Sequence, residues 1–296
     1  MRATLLHNKD AGRAGSAPSK KELLKLLEGA GYKVSYQSTR KPGVEQALED
    51  PGDLLVIAGG DRTVGKVLRR LERRDVPLAL IPLGTANNIA TALGVTGTPE
   101  AILTRLADAR RRRLDLGIAR TAGGERRFVE SAGLGLLAEF LKHSAESDDP
   151  ASRQERLQFG LKLLQHLATR VRSRLCRVRA DDQDFSGRYL LAVACNIGSV
   201  GPRLPLAPQA EPGDGKLDLL LVGESRRAAL KQYLGRLARG EEPEFPFSVL
   251  RASRIRMGWA VGAGHVDDRV WPSGPVARQG TVTLEVGGGP FEVLVP

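Results

Sequence analysis

Between residues 53 and 88 the chain makes the same move twice. Asp53-Leu-Leu-Val-Ile-Ala58 runs into Gly59-Gly60-Asp61-Arg62-Thr63, and Leu78-Ala-Leu-Ile81 runs into Pro82-Leu83-Gly84-Thr85-Ala86-Asn87-Asn88. Each is a short apolar run, a sharp turn and then a helix-like segment. Gly59 and Gly60 carry no side chain, so the backbone there can turn tightly and approach a ligand closely. N–H groups at the start of the next helix can face an anion, assisted by the helix dipole. Thr63 can cap that helix or bond a phosphate oxygen. Asp61 beside phosphate calls for a metal ion or a transferring proton; the alternative is a plain strand–helix turn capped by Asp61 or Thr63. Two such turns at the ends of neighbouring strands suggest a nucleotide held between them.

The surrounding pattern sets the architecture. Residues 1–120 alternate strand-like runs (4–7, 33–36, 54–58, 78–81 and 113–118) with helix-like runs (19–30, 44–48, 63–73, 86–93 and 99–107). Regular alternation predicts a doubly wound, mainly parallel α/β domain with ligands beyond the carboxyl ends of its strands. After residue 126 strand-like runs dominate, at 126–131, 174–180, 189–197, 216–222, 253–258 and from 281 to the end, separated by Gly and Pro clusters. That texture predicts an antiparallel β-sandwich. The expected division is 1–122 and 123–296. Two helices interrupt the second part. One, over 152–172, places Leu157, Leu161, Leu164, Leu167, Val171 and Leu175 inward and Arg153, Arg156, Lys162, Arg170 and Arg174 outward. The other, over 225–240, places Leu230, Leu234 and Leu237 inward and Arg226, Arg227, Lys231, Arg236 and Arg239 outward. Such faces serve either as solvated sides of core-packed helices or as contacts with an anionic membrane. Residues 146–150 read as an exposed loop.

Composition narrows the function classes. The 45 Lys and Arg against 34 Asp and Glu give a net charge of +11, which favours nucleotides, acidic lipid surfaces or nucleic acid as partners. No nucleic-acid recognition motif accompanies the charge. Arg110–Arg113 is the densest basic cluster and reads either as a contact for an anionic partner or as a solvated helix-to-strand joint. Cys176 and Cys195 are the only cysteines, too few for a disulfide framework or a cysteine metal cluster. With no long apolar leader segment and no run of ~18 apolar residues, the expectation is a soluble, cytoplasmic chain.

The second turn, Pro82-Leu83-Gly84-Thr85 with Asn87, resembles the second signature of the diacylglycerol kinase catalytic-domain family, which includes bacterial lipid kinases and sphingosine kinases. The family's first signature, Gly-Gly-Asp-Gly-Thr, is matched by Gly59–Thr63 except at Arg62. Other matches keep the family's order. They are Asn8 with Gly12 and Arg13, Thr39 before Pro42-Gly43, Leu114-Asp115-Leu116-Gly117, Gly133-Leu-Gly135, Asp214-Gly215-Lys216-Leu217-Asp218, Val266-Asp267, and the closing run 291–296. A NAD kinase shares the Gly-Gly-Asp turn, but the second turn and the Asp-Gly-x-Leu-Asp segment point to the lipid-kinase branch.

The resemblance implies an ATP- and Mg²⁺-dependent lipid kinase of phospholipid metabolism, acting on a diacylglycerol-like or other long-chain alcohol. By resemblance, Asn8, Thr39, Gly59, Gly60, Asp61, Arg62, Thr63, Val64, Gly65, Gly84, Thr85 and Asn87 surround the nucleotide. Asp61 and Asp115 match acidic residues of the phosphate and magnesium network. Asp214 matches a ligand of a Mg²⁺ site in the sandwich, completed by carbonyls near Glu211 and Lys216. Peripheral contact with the inner membrane surface and a homodimer are compatible with it. The departures point the other way. Arg62 replaces Gly, Asn88 and Leu137 replace Asp, and Arg269 stands where the family's Asp-Gly-Glu supplies a general base. Arginine stays protonated and cannot be that base, which leaves Asp267 or Asp268. The competing expectation is therefore a nucleotide-binding or regulatory homologue with little phosphotransfer.

Overall fold

The computed structural model describes residues 1–11, 18–144, 152–260, 264–271 and 280–296. Gly12 and Arg13 of the opening motif and the loop 146–150 lie outside them. The chain divides into two compact units, Met1–Asp115 with Gly289–Pro296, and Leu116–Gly288.

The first unit alternates β1 (Arg2–His7), α1 (Lys20–Gly29), β2 (Lys33–Ser38), α2 (Val44–Glu49), β3 (Leu54–Gly59), α3 (Asp61–Leu68), β4 (Leu78–Pro82), α4 (Asn88–Ala92), α5 (Pro99–Thr104) and β5 (Arg110–Leu114). Its sheet runs β2, β1, β3, β4, then the C-terminal strand Phe291–Val295, then β5. Strands β2, β1, β3 and β4 and the C-terminal strand are parallel, and β5 is antiparallel. A parallel strand covered on both faces must be apolar throughout, and every residue of Leu54–Gly59 is buried. Helix α1 starts where Ser19 and Glu22 form a reciprocal capping box, and it turns Leu23 and Leu27 into the core. The arginines of 110–113 form an exposed edge strand, not a helix-to-strand joint; charge along an edge discourages further pairing.

Two expectations are corrected here. The run 113–118 is not one strand. It breaks at Asp115-Leu116, and its second half enters the other sheet as β6 (Gly117–Thr121), where a Cβ on Gly117 would lie 2.1 Å from the Phe128 ring. The closing run is not a sandwich strand either: Val293 and Leu294 pair with Leu78 and Ala79 of β4. Its alternating Phe291, Val293 and Val295 are buried against the first unit's core.

The second unit continues with β7 (Gly124–Phe128), β8 (Ser131–Gly135), α6 (Leu136–Ser144), α7 (Arg153–Arg170), β9 (Arg174–Ala180), β10 (Gln183–Asp184), β11 (Gly187–Cys195), β12 (Ser199–Val200), β13 (Leu204–Pro205), β14 (Leu217–Gly223), α8 (Arg227–Ala238), β15 (Val249–Ala252), β16 (Arg254–Trp259), β17 (Gly264–Val266), β18 (Arg269–Val270) and β19 (Gly280–Val286). It is an antiparallel β-sandwich whose sheet branches at β11, which pairs with β8, β9 and β14. Strands β11 and β14 are buried on both faces. Ala192, Ala194, Leu217 and Leu219 face the sandwich interior, while Val193, Cys195, Leu220 and Val222 face α6, α7 and α8. Helix α6 was not anticipated from the sequence. It puts Leu137 into that second core, so the position that resembles a family Asp is a packing residue here. On α7, Leu161, Leu164 and Leu167 point inward as expected, and Val171 just past the helix is buried. Leu175 instead lies 58% exposed on β9. Arg227, expected outward, turns back onto α7.

Candidate functional site

The two glycine turns of the first unit meet backbone to backbone. A Cβ on Gly60 would lie 2.8 Å from Gly84 Cα, and one on Gly84 would lie 2.4 Å from Gly60 Cα, so neither position admits a side chain. Gly59 makes room for Thr63, whose side chain would be 2.6 Å from an added Cβ. Gly60 is the N-cap of α3 and brings no side-chain cap to its first turn. The second turn is held by Asn87, in the left-handed region at φ +56°. Its Oδ1 accepts from Gly84 N at 2.8 Å and its Nδ2 donates to the Pro82 carbonyl at 3.3 Å.

Asp61 joins the turns. It opens α3, and its carboxylate accepts from Ile89 N at 3.0 Å in the first turn of α4. Burial pushes this carboxyl above the ordinary carboxylate value, while the amides of residues 87–89 pull it back. Asn8 donates to Thr63 Oγ1 at 3.0 Å. Thr39, just past β2, is buried and donates its N–H to the His7 carbonyl at 3.1 Å. The registers place His7 level with Ser38 and Ala58, and Gly59 level with Pro82. Asn8, Thr39, Gly59–Thr63, Gly84, Thr85 and Asn87 therefore gather at the carboxyl ends of four adjacent parallel strands. Arg62 is exposed on the first turn of α3; Val64 and Gly65 lie buried one turn on. A bare backbone cradle at a helix N-terminus suits a phosphate group.

Asp115 is not among them. Leu114 stands level with Phe291, and Val293 with Leu78, so the antiparallel β5 delivers Asp115 to the opposite end of the sheet. Six residue steps, at ~3.3 Å each, separate the level of Leu114 from that of Pro82, roughly 20 Å. The Asp-Leu-Gly segment matched by order, but strand direction decides which end a residue reaches.

In the second unit Asp267, at φ +49°, forms the turn between β17 and β18. Its carboxylate accepts from the N–H groups of Val129, Glu130 and Ser131 at 2.8–3.4 Å, and its own N–H donates to the Ser131 carbonyl at 2.8 Å. It anchors the β7–β8 connection. Asp268 is half-buried beside it and Arg269 is exposed. Beneath the turn lies a pair that sequence reasoning missed: His265 Nε2 is 3.2 Å from Ser131 Oγ, with both residues buried. Residues 134 apart in the chain carry no common motif. Burial also pushes the Cys176 thiol up to about 11 and the Cys195 thiol higher, so neither is a ready nucleophile.

The Asp214 loop precedes β14. Asp214 Oδ1 accepts from Lys216 N at 2.9 Å, and Oδ2 is ion-paired with Arg251 of β15. Glu211 and Lys216 are exposed. Among the described residues no three His, Cys, Asp or Glu side chains group as metal ligands. One carboxylate already shared between an amide and a guanidinium does not fit a divalent cation. No helix among the described residues is long and apolar enough to cross a membrane.

Comparison with known proteins agrees with this layout. The family model for the diacylglycerol kinase catalytic domain matches residues 2–119, and that for the YegS C-terminal NAD kinase beta sandwich-like domain matches residues 142–277. The diacylglycerol kinase of Bacillus subtilis is 28% identical over 254 residues, covering 81% of this chain and 80% of that protein. The diacylglycerol kinase of Staphylococcus epidermidis is 27% identical over 255 residues, covering 83% and 78%. A solved structure of a diacylglycerol kinase from Bacillus anthracis superposes with a TM-score of 0.69 at 18% identity, covering 100% of this chain and 97% of that one. Both units are thus matched, in order, by one set of kinases, and the chain belongs to the diacylglycerol kinase catalytic-domain family of lipid kinases.

Proposed function

We propose that the protein is an ATP-dependent lipid kinase that transfers the γ-phosphoryl group to the hydroxyl of a diacylglycerol-like or other long-chain lipid alcohol. The observation that carries this reading is the Gly60–Gly84 backbone contact, which leaves a side-chain-free cradle at the start of α3. Phosphoryl transfer asks mainly for positioning and charge compensation. The backbone of Gly59–Arg62 holds the phosphates. Asn8 and Asn87 fix the two turns, and Asp61 keeps α3 and α4 in register. The Arg62 guanidinium, exposed at that helix start, adds positive charge where the family has none. ATP arrives with its own divalent ion. The arginine faces of α7 and α8 suit the anionic membrane in which such a lipid resides.

A specific observation favours a second reading, a nucleotide-binding homologue with little turnover. Arg269 cannot accept a proton, and the Asp267 carboxylate is committed to backbone amides. Asp268 is the other carboxylate of that turn.

Calorimetry with ATP and Mg²⁺, followed by ATP turnover on a panel of lipid alcohols in micelles, separates the two. Lipid-dependent turnover lost in Asp268→Asn supports the kinase. Binding without turnover supports the homologue, and absence of binding refutes both. Under the kinase reading Arg269→Glu, which restores the family's acid, raises kcat by about tenfold or more, up to the ~10²–10⁴ typical of general-base catalysis.

A further inference from the structure

The resemblance places a divalent cation at the Asp214 loop, and the structure places a guanidinium there. We propose that Arg251 stands in for that cation, so that the loop before β14 is closed by an ion pair and needs no metal.

The loop presents one carboxylate to whatever closes it. Gly215, at φ +76°, turns the chain so that Asp214 Oδ1 can accept from the Lys216 amide. This leaves Oδ2, which Arg251 takes from the neighbouring strand. The β14–β15 register sets Arg251 directly opposite Asp218. The guanidinium is therefore placed by the sheet and shared electrostatically between Asp214 and Asp218. Asp218 is buried and its carboxyl is pushed up by that burial, with Arg251 pulling in the opposite direction. Removing Arg251 would leave two nearby carboxylates uncompensated, one of them buried.

A hard divalent cation asks for six or more oxygens, few of them already engaged. Here the first ligand's oxygens are spent on an N–H and a guanidinium. A second cation brought to the same carboxylate would also face Arg251 at short range and be repelled. A guanidinium can do the cation's structural work because it is permanently charged and its donors suit a carboxylate. The inference concerns the second unit alone and holds whether or not the protein turns over lipid.

Thermal unfolding of the full chain, without nucleotide, in EDTA and in excess Mg²⁺ tests it. The wild-type protein is expected to unfold at the same temperature in both. Arg251→Ala should lower Tm in EDTA by roughly 2–4 °C, and Mg²⁺ should return part of that loss. The gain should vanish when Asp214→Asn is added. A saturable Mg²⁺-dependent rise of the wild-type Tm that Asp214→Asn abolishes would overturn the proposal. So would an Arg251→Ala protein indifferent to Mg²⁺. Should Arg251→Ala not fold, Arg251→Gln replaces it, and the metal content of wild type and Asp214→Asn after dialysis against Mg²⁺ decides. Equal content supports the ion pair, and one equivalent present only in wild type refutes it.

Discussion

His265 shows what burial does to a single residue. Its imidazole lies within hydrogen-bonding reach of Ser131 and is cut off from water, which holds it down at about 4 against an ordinary 6.5. The unfolded chain therefore binds more protons than the folded one between those values, so stability is lost as pH falls from 6.5 toward 4. The full effect is about 3 kcal/mol, at 1.36 kcal/mol per pH unit. His7, also buried and pushed down, acts in the same direction in the first unit. Denaturant midpoints measured across this pH range should drop steeply for wild type and much less for His265→Gln. An unchanged slope in the variant would show that His265 is not the group that titrates.

Elements here are fixed by their ends. Helix α7 finishes at Arg170 without a glycine. Its last turn is satisfied by Arg227, which donates to the carbonyls of Ala168 at 2.7 Å and Val171 at 2.8 Å while paired with Glu224. Charge-assisted hydrogen bonds of this kind contribute ~1.5–3 kcal/mol. Arg227→Ala should therefore cost about 2 kcal/mol, seen as a fall in Tm of roughly 4–8 °C. Lysine at 227 should recover only part of it, because one ammonium cannot span both carbonyls and the carboxylate. At the glycine turns the ends are fixed by contact. An alanine Cβ at position 84 would lie 2.4 Å from Gly60 Cα, with only backbone to give way. Gly84→Ala should separate the turns and weaken ATP binding by about tenfold or more, since a ligand cradle depends on close backbone approach. Calorimetry on the variant would show this; unaltered affinity would place the phosphates elsewhere.

At the scale of the molecule, the first unit is built from two stretches of chain far apart in sequence. The strand Phe291–Val295 lies between β4 and β5, so without it β4 becomes an open apolar edge and β5 loses its partner. Removing residues 289–296 should abolish nucleotide binding and expose the first 115 residues to protease, because an unpaired apolar edge invites aggregation and local opening. The stretch Leu116–Gly288 has its own sandwich core and should survive the same digestion as a resistant fragment. Protection of the first unit in the truncated protein would contradict this account.

Much of this was legible in the chain. The β/α alternation, the two glycine turns and the inward leucines of α7 are local patterns, set by residues three to seven apart that physics constrains together. The family signatures were legible for the same reason. Other features needed the tertiary structure because they join residues with no sequential relation. Strand direction carried Asp115 away from the turns, and the last strand entered the first sheet. Asp267 was spent on amides some 136–138 positions away, and Arg251 was set against Asp214 across 37. Sequence by itself determined most of the local elements and put the two glycine turns at strand ends. Only the packed sheet determined which charged groups reach those ends and which are neutralised elsewhere, since charges act through space and register, and strand order sets both.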